Sequence, residues 1–323
     1  MTGTQIRAAR LAAGLSLREV ARRAHIDAGY LSQIENGKRA PSTEVLATLG
    51  DVLGVELAEP EPLRAALQLL TSDAPASVVA DEGAVHQLRL LDDQVGGVDS
   101  YPVVAKALSK VTEPATYAEM AQLAGWVALD AGRQEVARRH YVTGVRAAAE
   151  SGTRVAGANC LSSLAYMLAG SRDGVLVGEA ATRVRDIPST MACLAIERLA
   201  WTRARTGDAD GCFRALDAAD EAWDARTLGA EPDATYWLSR PEIEIMRGRC
   251  YVELRRPLRA VPLLERVTAG YSWSARETAL YLTYLAEAYE QAKEPDAAAD
   301  ALQRARDLGG QVHSVRIAAR LGT

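Results

Sequence analysis

Phenylalanine occurs once in this chain, at Phe213, and aromatic residues make up only 5% of its 323 positions. The apolar mass, 48% of residues, is therefore largely alanine, leucine and valine, which suits helices packed closely through small side chains. Apolar-polar alternation of the kind strands need is lacking throughout. Cysteine is sparse: Cys160, Cys193, Cys212 and Cys250 are about 20–40 residues apart, with no C-x-x-C pair. That spacing argues against zinc and reads as small core residues. The four histidines, His25, His86, His140 and His313, fall in separate helical patterns. None sits in a metalloprotease, phosphate-loop or nucleophile-elbow motif, and Arg138-Arg139-His140 reads as a solvated helix face. No catalytic residue, metal or cofactor is expected. A run of ~18 uncharged apolar residues is also missing, and so is an apolar leader at the N-terminus. The expectation is a reduced, soluble, cytoplasmic protein that does not enter a membrane.

Charge is present but unevenly spread. The chain carries a formal −5, yet residues 1–43 hold seven cations (Arg7, Arg10, Arg18, Arg22, Arg23, Lys38, Arg39) against Glu19, Asp27 and Glu35. A basic head on an acidic body suits nucleic acid, because DNA responds to the local field and not to the sum.

Helix signals fill that head. Ile6, Leu11 and Leu15 space a first helix that stops at Gly14. Ser16-Leu17-Arg18-Glu19 reads as a capping box opening a second, with Val20, Ala21 and Ala24 inward. His25 and Ile26 make a turn, and Asp27 caps a third helix over residues 28–36, with Leu31 and Ile34 inward. Asn36-Gly37 stops it. Pro41-Ser42 starts a fourth, with Val45, Leu46, Leu49 and Leu53 facing the core.

Two short helices joined by a tight turn can place one of them in the major groove. This stretch resembles the phage-repressor (Xre, or Cro/C1-type) helix-turn-helix family. The resemblance is carried by Ile6-Arg7, Gly14-Leu15-Ser16, Glu19-Val20-Ala21, Ala24, residues 30–37 (YLSQIENG), Pro41-Ser42 and Leu53-Gly54-Val55. It implies double-stranded DNA as partner and the third helix as the reader, with Ala28, Gly29, Ser32 and Gln33 outward. Gln33 suits a bidentate pair with adenine, whereas Ala28 and Gly29 cannot hydrogen-bond a base. Many family members begin the second helix with Gln; here Leu17 stands there, which passes its phosphate contact to Arg18. Asn36, Lys38, Arg39 and Ser42 flank the reader as phosphate contacts, Tyr30 has a mixed packing and contact role, and Glu35 is structural. With so few base-pairing groups, DNA shape is expected to carry much of the specificity.

The expected fold is all-α: a four- to five-helix head over residues 1–57, a linker over 58–75 rich in proline and acid, and an α-solenoid of helix pairs over 76–323. Turn signals recur at Gly132-Arg133, Gly170-Ser171, Gly207-Asp208, Arg256-Pro257 and Glu294-Pro295, about 37–49 residues apart, a period that points to stacked helix pairs. Gly125, Ser163, Ala200, Gly248 and Ala286 precede those turns as small contact residues, and Ala137, Cys212, Val261 and Ala298 follow them. An insertion over 227–235 lengthens one unit. The array resembles tetratricopeptide repeats, and the whole layout is similar to actinomycete Xre-type regulators and to the peptide-responsive RRNPP group. That likeness implies quorum sensing, a homodimer, and a concave surface binding a peptide or small-molecule effector.

Candidates for that surface are Trp126, Asn159, Tyr166, Arg198, Trp201, Tyr236, Trp237, Arg240, Tyr281 and Tyr284. Asparagine occurs only twice, at Asn36 and Asn159, and an amide on a concave helix can pair both ways with a peptide backbone. Trp and Tyr at helical spacing also serve simply as packing. The head and body together read as a sequence-specific transcription regulator. The other reading is a scaffold whose repeats bind a partner protein, with DNA binding secondary.

Overall fold

The computed structural model describes residues 3–39, 41–55, 61–77, 82–229, 231–270, 275–309 and 314–322. All regular structure among them is helical. The chain divides into two compact units, residues 1–64 and 65–323. His313, and residues 58–60 of the expected linker, lie outside the described residues.

The first unit holds α1 (Gly3–Ala12), α2 (Leu17–Arg23), α3 (Ala28–Glu35) and α4 (Thr43–Leu53). Three of these helices start on a side-chain oxygen accepting an otherwise orphaned N–H. Ser16 accepts from Glu19, Asp27 from Tyr30, and Ser42 from Val45. Only half of the expected capping box forms, because the Glu19 carboxylate turns to Arg22 and Arg23. The core is Ile6, Val20, Ala21, Ala24, Leu31, Ile34, Leu49 and Leu53. Leu11 departs from its expected inward place and is 61% exposed. It lies five residues beyond Ile6, more than a full turn, and so leaves the buried stripe.

The division between the units falls inside α5 (Glu61–Leu70). Ala65, Ala66 and Leu69 are buried, Ser72 Oγ donates to the Ala149 carbonyl, and Ser77 N–H donates to the Gly152 carbonyl at 3.2 Å. The second half of the stretch read as linker is thus packed onto the second unit.

That unit continues with α6 (Glu82–Val95) and α7 (Gly97–Leu108) and then a series of helix pairs. These are α8 (Pro114–Asp130) with α9 (Gln134–Ser151), α10 (Arg154–Met167) with α11 (Arg172–Thr182), and α12 (Ser189–Arg205) with α13 (Ala209–Asp224). After an insertion carrying a 3-10 turn (Asp233–Thr235) come α14 (Arg240–Glu253) with α15 (Pro257–Gly270), and α16 (Ala275–Ala292) with α17 (Pro295–Gly309). A short α18 (Val315–Leu321) packs on the last pair. The expected turns fall between the members of each pair. Within the first pair, Gly125 gives Tyr141 its place: a Cβ there would lie 2.4 Å from the Tyr141 ring.

First members touch each other in succession, α8 to α10, α10 to α12, α12 to α14, and α14 to α16. They form an inner layer buried on most sides. The array also closes on itself. Arg276 of α16 donates to the carbonyl and carboxylate of Asp92 on α6, both at 3.1 Å. Ser314 donates to Asp130 of α8 at 2.7 Å.

Candidate nucleic-acid interface and body cavity

In the first unit, α3 presents Gly29, Gln33 and Asn36 to solvent, with Ala28, Tyr30 and Ser32 half-buried. Gln33 is exposed, and its amide has no hydrogen-bond partner among the described residues. Ser32 and Asn36 are already engaged with each other, the Asn36 amide donating to the Ser32 carbonyl at 2.8 Å. Asn36 therefore first closes the end of α3. The Ser42 hydroxyl accepts from Val45 N–H at 3.3 Å and retains its own proton to donate.

The charge of this unit is sorted by burial. Arg10 is one-tenth exposed and Glu35 less so, and the two form a forked pair at 2.7 and 2.9 Å that ties α1 to α3. The hydrogen bonds to Glu35 hold the Arg10 pKa above its usual value. Arg22 and then Arg23 pull Glu19 down to about 2. Arg7, Arg18, Lys38 and Arg39 remain exposed, with no carboxylate partner among the described residues. Arg39 rests 4.8 Å from the Tyr30 ring centroid, which steadies both side chains on the surface of α3. Glu35 is thus structural, holding α3 to α1 through Arg10.

Residues 6–59 match the family model described as Helix-turn-helix. The N-terminal unit is a helix-turn-helix domain. The transcriptional regulator ClgR of Mycobacterium tuberculosis, in two strains, is 40% identical over 57 residues, 18% of this chain and 51% of the relative. The match spans about half the length of those curated relatives. The crystal structure of Bacillus thuringiensis PlcR in complex with the peptide PapR7 and DNA aligns over 93% of this chain and 98% of that one. The TM-score is 0.43 and the identity 12%, a loose likeness beside the local match in the head.

The second unit holds a partly open cavity of about 110 Å³. Its wall comes from α6, the insertion, and the inner helices α8, α10, α12, α14 and α16. Of the residues singled out in the sequence, Trp126, Asn159, Tyr166, Arg198, Tyr236, Trp237 and Tyr281 line it. Three do not. Trp201 lies behind the wall, stacked on Tyr166 at 6.2 Å and edge-on to Tyr284 at 6.0 Å. Tyr284 sits under Arg320 at 3.6 Å. Arg240 opens α14 and pairs with Asp220 at 2.6 Å. All three are held by neighbours instead of facing the cavity.

The lining also includes Arg89, Asp92, Asp93, Gln122, Glu242, Met246, Arg249, Arg276, Glu277 and Leu280. These were absent from the sequence-level set because charged side chains on a long helix ordinarily face water. A signal was available only at Gln122, which interrupts residues 120–129 (MAQLAGWVAL), whose other members are apolar or glycine. Arg89 bridges Glu119 and Asp233, which pins the insertion to α6. Tyr236 donates to Asp93. Burial raises Asp93 to about 6, against the pull of Tyr236 and Arg276. Gln122 and Arg198 both donate to Ser163, at 3.1 and 2.7 Å. Asn159 is 3% exposed and lines the cavity, and its side-chain amide has no partner among the described residues. A buried amide left open in this way is poised to bond something entering.

No described helix is long and apolar enough to cross a membrane, and no described group of three or more His, Cys, Asp or Glu side chains could hold a metal ion. Burial raises the Cys160 and Cys250 thiols well above their usual range, as inert core cysteines require.

Proposed function

We propose that the protein is a sequence-specific transcription regulator that binds double-stranded DNA through α3 and senses an effector in the body cavity. The observation that carries the DNA half is an outward, unengaged Gln33 on the reader of a helix-turn-helix domain, flanked by the free cations Arg18, Lys38 and Arg39. Gln33 reads adenine; Arg18, Lys38, Arg39 and Ser42 hold phosphates. The effector half is supported by the open Asn159 amide among Trp126, Tyr166 and Trp237, a polar handle in an aromatic wall that suits a short peptide or a small molecule. The domain assignment follows: residues 1–57 for DNA, the helical repeats for effector binding and for pairing two copies. As a homodimer it would set two readers about one DNA turn, ~34 Å, apart on a near-palindromic operator.

Footprinting on DNA upstream of the protein's own coding region tests this. Protection of a short inverted repeat, lost on Gln33→Ala and weakening steeply with salt, is the expected result. Uniform, sequence-indifferent retention would overturn the regulatory reading and favour a scaffold. Mass spectrometry of the purified chain under non-denaturing conditions reads bound effector and oligomeric state together.

A further inference from the structure

We infer that Arg249 makes the aromatic end of the body cavity a receptor for a carboxylate on the ligand. The inference rests on the effector-binding reading and gives that effector its chemistry.

Arg249 projects from α14, is 5% exposed, and lines the cavity. A guanidinium removed from water normally meets a carboxylate, since a lone buried charge is costly. Two other lining arginines follow that rule. Arg89 is tied to Glu119 and Asp233, and Arg276 to Asp92, Asp93 and Glu277. Arg249 forms no ion pair among the described residues. Its Nη2 donates to the hydroxyls of Tyr166 at 2.8 Å and Tyr284 at 3.3 Å. Its Nε is buried without a partner, and no hydrogen bond uses Nη1. Three rings surround the group, with centroids 5.6 Å (Tyr166), 4.5 Å (Trp201) and 4.7 Å (Tyr284) from its central carbon.

Rings and phenols ease the burial of a cation, but they are neutral and leave its charge in place. Nearby groups do not remove it. Arg198 brings a second guanidinium to the same Tyr166 ring, at 5.5 Å. Glu197, beside it on α12, is buried with one carboxyl oxygen lacking a partner and makes no ion pair with Arg249 among the described residues; burial pushes its pKa up. This end of the cavity is therefore walled by flat rings and holds a guanidinium that no described carboxylate pairs, with N–H donors of Arg249 left over. A carboxylate oxygen accepting from Nη1 completes it through a charge-assisted bond, and the attached apolar part lies against Tyr166 and Trp126. A chain-terminal carboxylate of a peptide and a free aromatic acid both supply that chemistry.

The test uses the full chain with two pairs of isosteric probes, benzoate against benzamide and indole-3-acetate against indole-3-acetamide. Binding is read by tryptophan fluorescence and by the shift in melting temperature. The acids are expected to bind at least tenfold more tightly than the amides, with Arg249→Met abolishing the preference and Arg249→Lys retaining part of it. The acid-to-amide comparison on the unaltered chain stands even if a variant folds poorly. Equal binding of acids and amides overturns the carboxylate inference while leaving an effector cavity. Silence from all four probes also overturns the inference, as does a response to inorganic phosphate alone. None of these outcomes affects the footprint, so the two readings fail separately. If acids win, a free peptide pool against its C-terminally amidated form separates the two carboxylate sources.

Discussion

Glu35 is the last residue of α3, yet its work is done inside the head. It neutralises Arg10 from α3 to α1 where neither side chain has much water. Glu35→Ala leaves Arg10 buried and unpaired, a change that costs about 3–5 kcal/mol. Amide exchange in the first unit should then speed sharply while exchange in the second stays as it was; unchanged protection around Ile6 and Leu31 would contradict the role assigned to the pair. Asp93 offers a different test. Its folded-state value, about 6, lies above the ordinary carboxylate value near ~3.9. The folded chain holds the extra proton between those values, so this stabilising contribution is present at low pH and lost as pH rises through about 6. Denaturant titrations at pH 4.5 and 7 should show Asp93→Asn flattening that fall; an unaltered slope would mean the carboxylate is not buried as described.

Elements were legible where one residue decides one backbone event. Ser16, Asp27 and Ser42 announced their helices, and each turn signal after Gly132 marks a real joint between paired helices. Gly125 was legible as a contact point, and the structure supplies its partner. Gly125→Ala sets a methyl against the fully buried Tyr141 ring, which has nowhere to move; overpacking of this kind costs about 1–3 kcal/mol. A melting temperature equal to the parent's would show that α8 and α9 can part without penalty. The cavity was only half legible. Trp126 and Asn159 stand out in any reading because their types are scarce, and Tyr166 because it is an aromatic among small residues. Arg249 and Arg276 do not, since arginine on a helix is the commonest sign of a solvated face. Only the layering of inner helices tells which arginines are denied water. The helix α5 was likewise obscured, because the prolines before it resemble a linker while Ala65 and Leu69 belong to a core.

Across the body unit, the buried network around Asp130 joins parts of the chain that no local pattern links. Its carboxylate accepts from Ser314 at 2.7 Å and from Gly97 N–H at 3.0 Å, with Arg276 at 3.8 Å. Asp130→Ala strips partners from all three and should cost about 3–5 kcal/mol in equilibrium unfolding. Faster amide exchange is expected both near Ser100 and near Ile317. Acceleration at one location alone would show that the array is not held shut there. Ser314→Ala is the milder companion, removing one hydrogen bond and leaving Asp130 its other partners.

That closure also sets an order of events during synthesis. Paired helices rely on neighbours in sequence and can assemble as each leaves the ribosome. Asp92 and Asp130 must wait until residues 276 and 314 have been made, a separation of 184 positions in both cases. Until then the nascent body carries a cluster of uncompensated carboxylates where its cavity will be. Residues 276 to 314 thus act as a checkpoint, since a chain that stops before them leaves the body with an acidic, open seam.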